Sequence, residues 1–368
     1  MGYHFSKINQ KSLVSVAIFS TLAVGILYLR VWPSSPSSDR DSLLLSTINN
    51  VTVRDELDVA LERASSTVND KTVVIVVINR AYVEPARGTR DATTMLDNFL
   101  EGFWVGQGTR ELVGMLLVVA VDQPAYDRCV FMRLNCYKME AAGEADDHAA
   151  GGEKLYMSAG FIDMMWRRTF LLLEVLKRGY SFIFTDADVV WLRNPFPILI
   201  GKNKSETTED FQISTDVYNG DPHSPEHLIN TGFYYVRSNN QTIRMFESWY
   251  GRRDNSSKKE QDVLLEMSRG GVLTSELGVR TRYLDTAWFS GFCSDIKDVG
   301  QVVTVHANCC RSIIAKVKDL KVVIGDWKRW KMLAAHWKAT GRRRAIPFRW
   351  TGHFGCWNSW NNHNVTTQ

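Results

Sequence analysis

Residues 73–78 read Val-Val-Ile-Val-Val-Ile. A run of β-branched apolar side chains leaves no face for water, so this segment suits a strand covered on both sides, as in a parallel sheet flanked by helices. Two further apolar runs follow, at 112–121 (LVGMLLVVAV) and 181–185 (SFIFT). The segments between them carry apolar residues at helical spacing: 53–70, 91–104 and FIDMMWRRTFLLLEVLKRG, which stops at Gly179 as helix ends commonly do. Strands alternating with helices predict an α/β domain with a Rossmann-like, mainly parallel sheet and helices on both faces. The second half is less regular. FQISTDVY and TGFYYVRS read as strands, QTIRMFESWYG and 261–268 as helices, and VVTVHANCC as strand-like. Six of the twelve tryptophans lie between Trp327 and Trp360, most of them expected to anchor a terminal helix in the core.

The N-terminal residues carry a different signal. Residues 12–29 (SLVSVAIFSTLAVGILYL) hold no charge, and Lys7 and Lys11 precede them. A bilayer span needs about 20 apolar residues, with a lower range near 17. The basic residues place the N-terminus in the cytoplasm, and GILYLRVWP lacks a small-residue cleavage site. The chain is therefore expected to comprise a tail (1–11), an uncleaved signal-anchor (12–29), a polar stem (30–52), a globular domain (53–350) and a C-terminal tail (351–368). This is a single-pass type II arrangement with the domain lumenal, and a short span suits the thinner early secretory membranes. Five N-x-S/T sequons, at Asn50, Asn203, Asn240, Asn255 and Asn364, agree with a lumenal placement. Six cysteines suit an oxidising compartment. Cys129 and Cys136 lie across one loop, close enough to bridge, and Cys293 is expected to meet Cys309 or Cys310. No CxxC pair supplies a cysteine-built zinc site, and a net charge of +4 is too small to make nucleic acid the main partner.

The segment that carries chemistry is FIFTDADVVWLRNPFP, residues 182–197. A hydrophobic strand delivers Asp186 and Asp188 where its side chains leave the sheet, and open α/β sheets bind ligands outside their carboxyl ends. Spacing of two places both carboxylates on one side of an extended backbone. Two such groups suit a hard divalent cation, Mn²⁺ or Mg²⁺, bridging a diphosphate. Because Asp188 lies past the strand, its replacement is expected to alter stability by no more than about 1 kcal/mol. Arg167 and Arg168 lie on the preceding helix, where one guanidinium can reach a diphosphate. Arg167 is the first choice.

FTDADVVWLRNPFP resembles the hallmark of the plant nucleotide-diphospho-sugar transferases grouped as glycosyltransferase family 77. TVVIVVINRAYVEP, AYDRC, MMWRR, NTGFYYVRSNN, EQDVL, RYLDTAWFSGFC, HANCC and IGDW resemble further parts of it, in one order over residues 71–350. The resemblance extends to rhamnogalacturonan xylosyltransferases and extensin arabinosyltransferases. It implies a GT-A fold and a Golgi enzyme retaining anomeric configuration. Xylose, arabinofuranose or galactose would pass from a UDP-sugar to a cell-wall polysaccharide or glycoprotein acceptor. It also implies His306 as third metal ligand, Asn79 beside the nucleotide, and Asn230 and Gly232 on the floor of the sugar pocket. Gln261 and Asp262 fall beside the anomeric carbon. Asp262, then Asp216, is the candidate nucleophile if retention proceeds by two displacements. A same-face route needs none. Relatives often follow Asn79 with glutamate; Arg80 stands here.

Two other readings share parts of this outline. Haloacid-dehalogenase-type phosphatases also place D-x-D after an apolar strand, but there the motif usually opens the domain. Here two predicted strands precede it, and no acidic cluster follows. An inactive lectin-like or scaffold member of the fold would have no need of the DAD, His306 and Gln261–Asp262 segments together.

Overall fold

The apolar runs form the centre of one sheet. A computed structural model describes residues 54–65, 71–85, 92–139, 158–201, 209–253, 258–294, 296, 298–340 and 348–360. Its strands are β1 (Thr72–Ile78), β2 (Leu116–Ala120), β3 (Asn135–Lys138), β4 (Ser181–Thr185), β5 (Val189–Trp191), β6 (Phe211–Val217), β7 (Leu228–Val236), β8 (Thr281–Leu284), β9 (Phe289–Gly291) and β10 (Thr304–His306). Among the described residues, seven of these make a sheet in the order β3-β2-β1-β4-β7-β6-β8. β7 runs antiparallel to both neighbours and the remaining pairs are parallel, as a mainly parallel sheet requires. The expected strand over 112–121 is shorter than its apolar run. Arg110–Met115 coils into a 3₁₀ helix, and β2 begins once Gly114, which offers no side chain to pack, has been passed.

Helices cover both faces. They are α1 (Glu56–Ala64), α2 (Arg80–Val83), α3 (Met95–Val105), α4 (Gln123–Phe131), α5 (Ala159–Lys177), α6 (Phe196–Leu199), α7 (Asn240–Gly251), α8 (Glu260–Arg269), α9 (Ile313–Ala339) and α10 (Phe354–Asn358). Strand residues alternate between two cores. Val73, Ile75, Phe182 and Phe184 pack with Leu172 and Leu176 of α5 and with Phe246 and Trp249 of α7. Val74, Val76 and Ile183 pack with Phe99 and Phe103 of α3 and Trp327 of α9. Burial on both sides explains why β1 has no polar alternation. Helix starts follow local chemistry: Asp55 with Asp58, and Thr94 with Asp97, form reciprocal capping boxes at α1 and α3.

A second, three-stranded sheet β5-β10-β9 lies in the core that contains α3 and α9. β10 pairs antiparallel with β5, placing His306 opposite Val189, and parallel with β9, placing His306 opposite Gly291. The chain thus leaves β4, passes through Asp186 to Asp188, and re-enters structure at once as β5.

Disulfides join Cys129 to Cys136, Cys293 to Cys309, and Cys310 to Cys356. The first is the expected pair, the second selects Cys309 over Cys310, and the third ties residues 351–360 to the start of α9. Buried acids of α9 hold the same segment: Asp319 accepts from the Cys356 amide at 2.7 Å, and Asp326 accepts from Thr351 Oγ1 at 3.0 Å. Trp327 is fully buried, and Trp330 and Trp350 pack against the core. Trp357 and Trp360 are exposed, so the expectation of core anchors fails at the chain end. The proposed anchor 12–29 and four sequons lie outside the described residues; Asn240 is exposed at the first residue of α7. Among the described residues no helix is long and apolar enough to cross a membrane.

Candidate active site

Backbone hydrogen bonds fix the carboxyl edge of β4 to its neighbours. The Asp186 amide donates to the Gly232 carbonyl of β7 at 2.7 Å, and the Asp188 carbonyl accepts from the Ala307 amide at 3.0 Å. These bonds bring side chains from three strands together. Ligand atoms of Asp186, Asp188 and His306 lie within 4.8 Å of one another. His306 Nε2 is 3.2 Å from Asp188 Oδ1, and Lys316 Nζ from the first turn of α9 is 2.6 Å from Asp188 Oδ2. Asp188 is buried, 4 % exposed, which contradicts the surface position expected from its place past the strand. The reason is the immediate restart of the chain as β5, with β10 laid alongside.

Charge in this nest is unevenly shared. Burial opposes ionisation of Asp188, but Lys316 and His306 outweigh it and hold the carboxyl far below its usual range. Asp186 moves the other way: burial and the neighbouring Asp188 raise it against the pull of Arg168. His306 is raised because the Asp188 charge overcomes the effect of burial. The pair therefore offers one firmly ionised carboxylate and one that needs a further cation.

Part of that need is met by Arg168. Its guanidinium donates to Asp186 Oδ1 at 3.1 Å and to Glu260 Oε1 at 2.7 Å, and it lies 4.5 Å above the Phe184 ring. Arg168 is the arginine whose guanidinium meets the acidic pair; Arg167, the first choice for the diphosphate, is half-buried one residue earlier on α5. Glu260, 1 % exposed and the first residue of α8, is a site residue that the sequence reading missed. Thr231 Oγ1 donates to it at 2.9 Å. Gln261 Oε1 accepts from the Thr231 amide at 3.1 Å and from its hydroxyl at 3.2 Å. Gln261 is thereby brought to β7 beside the centre.

Asn230 and Gly232 flank Thr231 on β7. Asn230 Oδ1 accepts from the Gly232 amide at 2.8 Å, and its Nδ2 donates to Asp216 Oδ1 at 2.8 Å. Asn308 Nδ2 donates to the same oxygen at 2.7 Å, and Asn308 Oδ1 accepts from the Cys293 amide. Asp216 thus gathers two amides behind the site. Asp262 lies in the first turn of α8, and among the described residues no contact ties its carboxylate to the acidic centre. Asn79 caps α2 by accepting from the Ala81 amide at 3.1 Å. Arg80, the departure from the family pattern, pairs with Glu84 at 2.7 Å, and its amide donates to Asp122.

Gly232 has a steric role. A Cβ there would overlap His306 Cε1 and stand 2.8 Å from Asp186 Oδ2 and 2.9 Å from Asn230 Oδ1. Gly232→Ala should therefore push His306 off the carboxylates, cutting metal-dependent donor turnover by at least about tenfold, with about 1–3 kcal/mol of overpacking strain. Turnover and thermal melting of the variant check this; normal turnover would show that His306 has room to yield.

Two carboxylates and an imidazole converging beside a glycine that keeps space open form a donor set fit for a hard divalent cation. Its place at the carboxyl edge of an α/β sheet is where enzymes of this architecture bind their ligands, and a divalent cation there suits diphosphate-bearing substrates. The sequence profile of the nucleotide-diphospho-sugar transferases matches residues 111–320, more than half of the chain. The chain belongs to this plant family and is a nucleotide-sugar-dependent glycosyltransferase, with a nucleotide sugar as donor and a glycan as acceptor. It is 50 % identical over 309 residues to the uncharacterized Arabidopsis thaliana protein At1g28695, covering 83 % of this chain and 85 % of that one. Similarity to the Arabidopsis thaliana beta-arabinofuranosyltransferase RAY1 is 29 % over 163 residues, 43 % of this chain and 28 % of the relative. An Arabidopsis thaliana UDP-D-xylose:L-fucose alpha-1,3-D-xylosyltransferase is 32 % identical over 97 residues, 25 % of this chain and 26 % of the relative.

Proposed function

We propose that the chain is a GT-A-type, retaining glycosyltransferase of the Golgi membrane. It moves xylose, arabinofuranose or galactose from a UDP-sugar to a cell-wall polysaccharide or glycoprotein. The observation that carries the proposal is the convergence of Asp186, Asp188 and His306 at the end of β4. These three residues would hold Mn²⁺ or Mg²⁺, which when bound neutralises charge on the departing diphosphate. Arg168 orients Asp186 and offsets part of the cost of burying its charge, and Gly232 keeps the space in front of the carboxylates clear. Asn79, at the end of β1, would lie beside the nucleotide. Gln261, anchored on Thr231, is placed for the sugar. Asp262, in the first turn of α8, and Asp216, held by two amides, are the candidate nucleophiles for a double displacement, and same-face attack needs neither.

The test uses purified full-length protein with UDP-xylose, UDP-arabinofuranose and UDP-galactose, with and without Mn²⁺, monitoring UDP release and product anomeric configuration. Mn²⁺-dependent turnover of one donor, lost in EDTA, is expected. Phosphate release from a simple ester without sugar transfer would favour the phosphatase reading instead. Protease protection of the domain in intact Golgi vesicles tests the type II placement.

A further inference from the structure

A cleft of about 480 Å³ lies on the far side of the sheet from Asn79, at edge strand β8. That volume falls in the range of clefts that hold small ligands. Its lining includes Trp288, Tyr218, Glu209, Asp285, Arg282 and His223. Trp288 is 39 % exposed, so part of its ring is open to the cleft. A flat aromatic ring beside carboxylate acceptors and a guanidinium donor is the combination that a saccharide needs. Its C–H face covers the ring, and its hydroxyls pair with charged groups at the rim. Two carboxylates against one guanidinium give the cleft no excess of positive charge, so it disfavours phosphates and uronic-acid chains.

The cleft is also built rather than incidental. The Tyr283 amide donates to the Pro222 carbonyl at 2.7 Å, fixing the 221–223 turn along β8, and His223 Nδ1 is 3.0 Å from the Thr281 carbonyl. The Asp285 carbonyl accepts from the Trp288 and Phe289 amides at 3.0 and 2.9 Å, and its carboxylate accepts from the Ala287 amide at 2.8 Å. Tyr218 stacks on His227 at 4.9 Å. The cleft is connected along the chain to residues that adjoin the acidic centre. Tyr218 follows Asp216 by two residues on the chain leaving β6. Phe289, which lines the cleft, is two residues before Gly291, the register partner of His306. Along β9 the Cα atoms of Phe289 and Gly291 are about 7 Å apart, on the order of the length of one sugar unit.

From these observations we infer that the Trp288 cleft is an acceptor subsite for a neutral, hydroxyl-rich glycan, holding a sugar unit beyond the one that receives the transferred residue. This rests on the glycosyltransferase reading of the acidic centre and names the acceptor class for it. The experiment measures binding of short neutral xylo-, arabino- and galacto-oligosaccharides, and of an acidic oligogalacturonide, to the full chain without donor. Saturation-transfer NMR and calorimetry provide the readouts. UDP binding with Mn²⁺ is titrated separately. At least one neutral oligosaccharide should bind, with affinity lowered about tenfold or more by Trp288→Ala and largely retained by Trp288→Phe. The inference is overturned if no neutral oligosaccharide binds, if Trp288→Ala binds like the wild type, or if the oligogalacturonide binds as tightly. Trp288-dependent saccharide binding in a chain that fails to bind UDP with Mn²⁺ would uphold the cleft and refute the donor site.

Discussion

Asp188→Asn should lower metal-dependent transfer by at least about 100-fold, because the one firmly ionised carboxylate of the centre is replaced by an amide of equal size. It should also destabilise the protein, contrary to what its place past a strand suggests. Lys316 and His306 both lean on this carboxylate, at 2.6 and 3.2 Å, and would face an uncharged partner. Breaking a fully buried ion pair costs about 3–5 kcal/mol; Lys316 retains 22 % side-chain exposure and can turn to water, so about 1–3 kcal/mol is expected. Donor turnover across a Mn²⁺ series and chemical denaturation of the metal-free protein measure the two effects. Near-normal transfer at limiting Mn²⁺ would remove Asp188 from the mechanism, and unchanged stability would mean that its ion pairs contribute nothing.

Arg168→Leu should be the more damaging change to folding. The guanidinium is 3 % exposed and is shared between Asp186 and Glu260, and Glu260 Oε2 and Arg168 Nε have no hydrogen-bond partner. Its removal strands Glu260, 1 % exposed, with Thr231 for support, at a cost of about 3–5 kcal/mol. Adding Glu260→Leu removes the stranded charge and should recover most of the stability, since an apolar pair often replaces a buried ion pair at little cost. Activity should not recover, because Asp186 still lacks its cation. A double variant as unstable as the single one would show that Arg168 acts through packing on Phe184 alone. Recovery of turnover along with stability would show that Asp186 does not need the guanidinium.

Much of the framework was legible because its causes are local. The unbroken apolar run of β1 can be satisfied only by cover on both faces, and the acidic pair announces itself by following β4 directly. His306 was reachable through the family resemblance. What stayed hidden depended on docking. Arg167 and Arg168 differ by one step of about 100° around the helix, so only the way α5 lies on the sheet decides which one meets Asp186. Glu260 opens α8, where an acid ordinarily serves the helix dipole, and nothing local shows that it is buried against Arg168. Lys316 belongs to a helix far along the chain from β4. Asp216, named from the sequence as the second candidate nucleophile, has Asn230 and Asn308 on one of its oxygens, a pairing that no local pattern shows.

The antiparallel pairing of β10 with β5 bears on the order of events during synthesis. Val189 leaves the ribosome long before its register partner His306, and domains form as the chain lengthens from its N-terminus. A chain stopped before Thr304 has the acidic pair but neither the imidazole nor the Lys316 ammonium, and it lacks the strand that buries Asp188. Such non-local closure is entropically costly and comes slowly. The Asp186–Asp188–His306 cluster is therefore completed only when β10 adds to β5, and a chain stopped earlier lacks its imidazole. A compartment that retains unfinished chains would thus retain those not yet able to engage a nucleotide sugar, making catalytic readiness and structural completion the same event.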